Sequence, residues 1–186
     1  MHMNRVANMI SRVLEPMSVA FGLGFLGGWQ AQLRGSAFFY YLLYLLGVIF
    51  TIGMVRIRLT RHLHTNWDIS DRNKRIKPLF WMLLTFLGII WSLSFWRNAE
   101  LIQFYLSFFY WLLGFSLLTT IVKLSGHVAI VTWALGWLIR WHGMTGAPFL
   151  ILIPLLGWSR IVLKRHSFFE VVIGFWYSLA GLLFLK

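Results

Sequence analysis

Three short segments hold most of the residues with which this sequence can do chemistry. The first, residues 68–78, is rich in arginine, lysine and aspartate. The second, residues 123–127, reads Lys-Leu-Ser-Gly-His, and the third, residues 159–170, opens with Ser-Arg and ends with Glu. Histidine and glutamate are residue types that transfer protons, and arginine binds phosphate. We therefore expect a functional site where these segments meet.

The third segment contains the pattern of an oriented nucleophile. His166 and Glu170 are four residues apart at the start of a predicted helix, which puts both side chains on one face. A carboxylate bonded to one imidazole nitrogen fixes the tautomer and aims the other nitrogen. We predict His166 as a nucleophile and His127 as the general acid for the departing oxygen. Proton transfer of this kind is typically worth about 10²–10⁴ in rate.

The second segment has the features of an anion site. Ser125, Gly126 and His127 open a predicted helix, where free backbone N–H groups and the positive end of the dipole favour an anion. Gly126 permits close backbone approach. Positive charge and forked donors suited to phosphate come from other residues. These are Arg160, Lys123 and a group that we term the basic cluster, Arg72, Lys74 and Arg75.

The elements that position these residues follow from composition. The chain has 186 residues, of which 59% are apolar and only 12% charged, against about 25% charged in soluble domains. This excludes a water-soluble globule and a disordered chain. Six apolar stretches are candidate spans for a membrane, which takes about 20 residues to cross, although two of the six are short. They are residues 37–57, 78–96, 101–121, 128–141, 147–163 and 168–185.

We predict an all-α fold, a polytopic integral membrane helix bundle with six core transmembrane helices. A seventh, N-terminal span over residues 16–29 is left open because four glycines interrupt it. The whole chain, residues 1–186, is predicted to be one domain. Within it, residues 1–35 form an N-terminal helix region and residues 68–174 form the core that carries the three segments.

The basic residues are distributed unevenly. The chain has 17 Lys and Arg against 5 Asp and Glu, a net charge of +12. Short connections make successive spans antiparallel, so loops alternate between faces. One face then holds only Arg34, Arg97, Arg140 and Lys186. The other face holds the remaining 13 of the 17 basic residues and all three segments. By the positive-inside rule the richer face is cytoplasmic, which predicts a cell-membrane protein whose site faces the cytoplasm.

The same distribution bears on partners. The basic residues belong to short loops between apolar helices and not to a soluble basic face, so nucleic acid is excluded as a partner. The expected partners are the lipid bilayer and a lipid phosphate substrate. Nothing in the sequence sets the oligomeric state.

The second and third segments resemble the last two motifs of the type-2 phosphatidic acid phosphatase family, membrane relatives of the vanadium haloperoxidases. Those motifs are P-S-G-H and S-R-x(5)-H-x(3)-D, and the resemblance extends over residues 68–174. The matching residues here are Leu124, Ser125, Gly126 and His127, then Ser159, Arg160, His166 and Glu170.

The resemblance implies that His166 becomes a phosphohistidine, that Glu170 orients it and that His127 is the acid. The implied phosphate ligands are Arg160, Ser125 and Gly126, and no metal or organic cofactor is implied. The expected activity is removal of the terminal phosphate from a lipid phosphate or diphosphate, such as phosphatidic acid, phosphatidylglycerol phosphate or a polyprenyl diphosphate.

The sequence departs from the family pattern in three places. Glu170 replaces an aspartate, and Leu124 replaces the proline. The first family motif, K-x(6)-R-P, is not intact, because Lys77-Pro78 stands in place of R-P and Ser70 in place of the lysine. We expect the basic cluster to supply the missing charge, which points to a divergent branch.

Two other functions are compatible with parts of the sequence. Asp68 and Asp71 suit Mg²⁺, as in membrane lipid or prenyl phosphotransferases, but no second carboxylate cluster accompanies them. A non-catalytic phospholipid-binding or transport protein would also need a phosphate site. The set of His127, His166 and Glu170 argues against it, since binding alone needs no oriented nucleophile.

Overall fold

In the described residues the chain forms helices joined by short turns and contains no strand. A computed structural model describes residues 2–62, 72–95 and 97–183, the side chains of residues 2 and 72–75 excepted. The elements in chain order are α1 His2–Val13, α2 Pro16–Gln30, α3 Gly35–His62, α4 Arg72–Ser94, α5 Ala99–Ile121, α6 Gly126–His142, a 3₁₀ helix Gly143–Ile151, α7 Leu152–Val162 and α8 Phe168–Leu183. The predicted all-α class is confirmed.

Several of these helices are long and apolar enough to cross a membrane. In the described ranges four stretches qualify, Gly35–His62, Ile76–Ser94, Ala99–Ile121 and Gly126–Val162. A fifth is added if Met3–Val13 and Pro16–Gln30, which are bent by 41° relative to each other, form one span. Phe168–Leu183 is apolar but shorter. The chain is therefore a helical membrane protein with four or five candidate spans, and the count of six or seven stays a prediction.

The chain divides into two compact units. One consists of Met1–Leu23 with Lys123–Lys186, and the other of Gly24–Val122. We call them the site unit and the central unit.

In the central unit, α4 packs against both α3 and α5. A buried hydrogen-bond chain links its helices: the Tyr41 hydroxyl donates to the Gly24 carbonyl at 2.7 Å and lies 2.9 Å from the Tyr105 hydroxyl. The ring of Tyr41 also lies where a side chain at Gly28 would stand, so glycine is needed there. At the start of α5, Asn98 Oδ1 accepts the Leu101 N–H at 3.0 Å as a cap.

In the site unit, α8 runs beside α6 in the same direction. Gly174 faces Ser125, and the Ser178 hydroxyl donates to the Ala129 carbonyl at 2.6 Å one turn further along. Small residues four apart on α8, Gly174 and Ser178, allow this close approach. The predicted spans 128–141 and 168–185 thus correspond to two parallel, packed helices.

The connection between α6 and α8 returns the chain to the starting end of α6. Gly143, with φ of 63°, ends α6, and the 3₁₀ helix folds back so that Gly146 packs on the backbone of Leu138 and Ile139. Helix α7 then contacts α6 and α8. The start of α6, the end of α7 and the start of α8 therefore lie at one end of the site unit.

Candidate functional site

A tight turn joins Arg160 to His166 at the end of α7. The Arg165 N–H donates to the Arg160 carbonyl at 3.0 Å, and the Lys164 N–H to the Ile161 carbonyl at 2.9 Å. With Lys164 at φ of 54°, this is a Schellman motif, although glycine usually occupies that position. The His166 N–H also donates to the Arg160 carbonyl at 3.3 Å. The turn therefore holds the His166 backbone against the last turn of α7.

Helix α8 begins with a capping box. The Glu170 N–H donates to the Ser167 hydroxyl, and the Ser167 N–H donates to Glu170 Oε2, both at 3.3 Å. Such boxes use glutamate or glutamine at the third helical position, because that side chain reaches back to the N-cap. This gives a structural reason for glutamate at position 170, where the motif that this segment resembles has aspartate.

The carboxylate of Glu170 also contacts two candidate site residues. Its Oε2 lies 2.7 Å from His166 Nδ1, although His166 lies in the turn before α8 and not on the helix, and its Oε1 lies 3.1 Å from Lys123 Nζ. The His166 side chain is 2% exposed. Because Glu170 bonds Nδ1, the candidate nucleophilic atom of His166 is Nε2. The structure thus places Lys123, predicted to bind phosphate, on the carboxylate that orients the histidine.

The charge state of Glu170 follows from these contacts. Partial burial acts to raise the pKa of Glu170, but the hydrogen bonds and positive charges of His166 and Lys123 outweigh it and hold that pKa below its ordinary value. Glu170 lies in the first turn of α8, at the end of this shorter apolar helix. It is therefore ionised at neutral pH and can stabilise a positive imidazole.

The start of α6 is joined directly to the start of α8. The Ser125 N–H donates to the Glu170 carbonyl at 2.9 Å, so the second and third segments are connected through their backbones. Gly174 makes this possible, because a Cβ there would lie 2.7 Å from the Ser125 carbonyl oxygen. Segments 123–127 and 159–170 therefore meet, as the sequence predicts.

Ser125 supplies a second feature of an anion site. It is the N-cap of α6 but makes no side-chain capping bond. Its Oγ is fully buried and, within the part of the chain that the structure describes, has no hydrogen-bond partner. Gly126 and His127 form the first turn of α6, whose N–H groups have no acceptor within the helix, and His127 is buried. An unused hydroxyl beside such N–H groups favours an anion.

Arg160 is held from an unexpected direction. It is 3% exposed, and its guanidinium donates to the Ser11 hydroxyl at 2.7 Å. The adjacent Ser159 hydroxyl donates to the Ala7 carbonyl, also at 2.7 Å. Both polar residues that open the third segment thus bond to α1. Sequence reasoning missed Ser11, and the spacing of Ala7 and Ser11 on one helical face was its only signal.

The first segment belongs to the central unit. Arg72, Lys74 and Arg75 begin α4, and their side chains lie outside the described residues, as do Asp68 and Asp71 entirely. In the ranges that are described, no group of three or more His, Asp or Glu side chains is placed to hold a metal ion.

No protein-family model, curated protein or solved structure matches this chain.

Proposed function

We propose that this protein is a membrane lipid phosphatase of the type-2 phosphatidic acid phosphatase kind, which removes a terminal phosphate through a phosphohistidine at His166. The observation that carries the proposal is the 2.7 Å contact between His166 Nδ1 and Glu170 Oε2. A histidine buried and oriented by an ionised carboxylate is arranged as in a catalytic triad. The backbone bond between Ser125 and Glu170 puts this pair beside the start of α6, where an anion is favoured.

In the first step, His166 Nε2 attacks phosphorus in line. The P–N bond forms as the P–O bond to the lipid breaks, and His127 gives its proton to the departing oxygen. Glu170 stabilises the positive imidazole that results. The products are a phosphohistidine and the free lipid alcohol, or a lipid monophosphate when the substrate is a diphosphate.

In the second step, water attacks the phosphohistidine. His127, now neutral, takes a proton from the water, the P–N bond breaks with its electron pair returning to His166, and inorganic phosphate leaves. Ser125, Gly126 and Arg160 hold the phosphoryl oxygens through both steps. Lys123 adds positive charge, so this reaction draws its charge stabilisation from the protein and needs no metal ion.

The substrate's apolar tail lies among the apolar helices, and its headgroup enters at the end of the site unit where α6 and α8 begin. We propose six core spans in the cell membrane with this end facing the cytoplasm, since 13 of 17 basic residues fall on that predicted face. Replacing exposed Lys164 by cysteine tests the orientation, because the chain has no other cysteine. Labelling by an impermeant reagent from outside intact cells would overturn it.

A phosphate-release assay tests the proposal. Purified wild type, His166→Ala and His142→Ala are given phosphatidic acid, phosphatidylglycerol phosphate and a polyprenyl diphosphate, with and without EDTA. His142 is exposed at the far end of α6 and serves as the control. We expect release by wild type and His142→Ala that resists EDTA, and none by His166→Ala. Robust release by His166→Ala would contradict the mechanism.

The same assay separates the two alternatives. Activity abolished by EDTA would favour a Mg²⁺-dependent phosphotransferase that uses Asp68 and Asp71. Retained binding of phosphate lipids without any turnover would favour a phospholipid-binding or transport protein.

A further inference from the structure

Helix α1 has three distinct faces. Ala7 and Ser11 are buried and bond to α7. The second face is apolar and exposed, and it consists of Met3, Val6, Met9 and Val13, which are 43–64% exposed. The third face is polar and exposed, and it consists of Asn4, Arg5, Asn8 and Arg12. This pattern is typical of a helix that lies in the plane of a membrane surface.

The dimensions and sequence of α1 do not suit a span. Its 12 residues are about 18 Å long, against about 30 Å of hydrocarbon. Its exposed arginines would be costly in the membrane interior. The chain then bends by 41° into the apolar helix α2. Glu15 Oε2 accepts the Met17 N–H at 3.1 Å at this bend, and Pro16 occupies the first position of α2, where proline is favoured.

The contacts with α7 fix which way the other two faces point. Ser159 bonds to Ala7 and Arg160 to Ser11, one turn apart on α1, so the helix cannot rotate about its axis without breaking a buried bond. Both contacts lie near the end of α7, at the end of the site unit where α6 and α8 begin. The exposed apolar face is therefore presented at a fixed angle.

We propose that α1 lies in the headgroup region of an anionic lipid leaflet, with its apolar face toward the acyl chains and its two arginines at the headgroups. The charge argues for anionic lipid as the occupant, because α1 carries Arg5 and Arg12 and no acidic residue. Arginine stems lie along apolar surface while their guanidinium groups reach phosphate oxygens. This proposal is independent of the proposed phosphatase activity.

Single cysteines test the proposal directly, since the natural chain has none. Val6 and Asn8, both exposed, project about 160° apart on the helix. The full-length variants Val6→Cys and Asn8→Cys are labelled with an environment-sensitive fluorophore and reconstituted in vesicles of phosphatidylcholine, alone or mixed with phosphatidylglycerol. Quenching is measured with iodide in the water and with a quencher attached to the lipid chains.

In the mixed vesicles we expect the label at Val6 to be quenched from the lipid and the label at Asn8 to be quenched by iodide. Replacing Arg5 and Arg12 by Gln should abolish the excess lipid quenching seen with phosphatidylglycerol. It should leave the signal in pure phosphatidylcholine unchanged, which serves as the internal control.

Four results would overturn the proposal. Iodide quenching of both labels would place α1 in water. Quenching of both labels from the lipid would make α1 part of a span. A label at Val6 that neither quencher reaches would put a second copy of the chain on the apolar face. Lipid quenching that does not depend on phosphatidylglycerol would remove anionic lipid as the preferred surface.

Discussion

Oε2 of Glu170 lies 2.7 Å from Nδ1 of His166, the distance of a charge-assisted hydrogen bond. The same oxygen accepts the N–H of Ser167 and so closes the cap of α8. One carboxylate therefore both starts a helix and sets the tautomer of the candidate nucleophile. The two roles make different demands on the side chain. The cap needs a side chain long enough to accept the Ser167 N–H, and the histidine needs a negative charge beside it.

Substitutions at Glu170 separate these roles. Glu170→Gln keeps the side-chain length but loses the charge, so we expect the helix cap to remain, a small loss of stability with the contacts to Lys123 and His166, and a fall in kcat on the order of 10²–10⁴. Glu170→Asp keeps the charge but shortens the side chain, so it should lose about 0.5–1 kcal/mol of stability with the cap and retain more activity than Glu170→Gln. Thermal unfolding in detergent and phosphate release measure both. Equal activities in the two variants would contradict a charge-dependent role.

Removal of Lys123 should change the pH profile. Lys123 helps to hold the pKa of Glu170 low, so in Lys123→Met that pKa rises and Glu170 becomes protonated at a higher pH. The acid limb of kcat/KM should move to higher pH. The stability that the ionised carboxylate contributes is present above its unfolded-state pKa and is lost as pH falls, so variant and wild type should converge in stability in acid.

The control for this experiment is Lys164→Met, an exposed lysine in the neighbouring turn. Its acid limb should match that of wild type. An unshifted acid limb in Lys123→Met would show that Lys123 does not act through Glu170, and a raised KM alone would return it to the predicted role in phosphate binding.

Gly174→Ala should disrupt the site through the backbone. Its Cβ would lie 2.7 Å from the Ser125 carbonyl oxygen, so α8 or the segment at 123–127 must move. We expect a loss of about 1–3 kcal/mol in stability together with reduced phosphate release. The control is Gly88→Ala in α4, where a Cβ meets nothing within 4 Å and alanine should be more stable by up to about 1 kcal/mol. A Gly174→Ala protein as stable and active as wild type would contradict the close packing.

Ser11→Ala tests whether α1 positions Arg160. It removes the 2.7 Å bond to the guanidinium, an interaction of a charged group typically worth about 1.5–3 kcal/mol. We expect kcat/KM to fall about tenfold or more, with weaker inhibition by inorganic phosphate. Asn8→Ala, on the exposed face of the same helix, should leave both unchanged. An unchanged inhibition constant for phosphate in Ser11→Ala would show that Arg160 does not depend on α1.

What could be predicted from the sequence was local or depended on composition. Hydropathy located α3, α5 and α6. The four-residue spacing indicated the pairing of His166 with Glu170, although His166 lies in the turn before α8 and not on the helix. The S-x-x-E pattern at 167–170 is also a readable capping signal.

The long-range contacts could not be predicted. Ser11 and Arg160 are 149 residues apart, and helical periodicity does not say which helix packs on which. The need for glycine at position 174 likewise depends on where the backbone of Ser125 lies. The pairing of Lys123 with Glu170 was missed because a lysine near a phosphate motif suggests an anion ligand, while the nearest carboxylate is set by the fold.

Capture of the phosphorylated enzyme tests the central claim most directly. Wild type, His166→Ala and His142→Ala are mixed with phosphatidic acid carrying radioactive phosphorus and quenched in alkali, in which a phosphohistidine survives. We predict a labelled protein in wild type and His142→Ala, with the label lost in acid and located at His166, and neither label nor turnover in His166→Ala. Turnover of the lipid by His166→Ala, or a label that maps to another residue, would contradict the account.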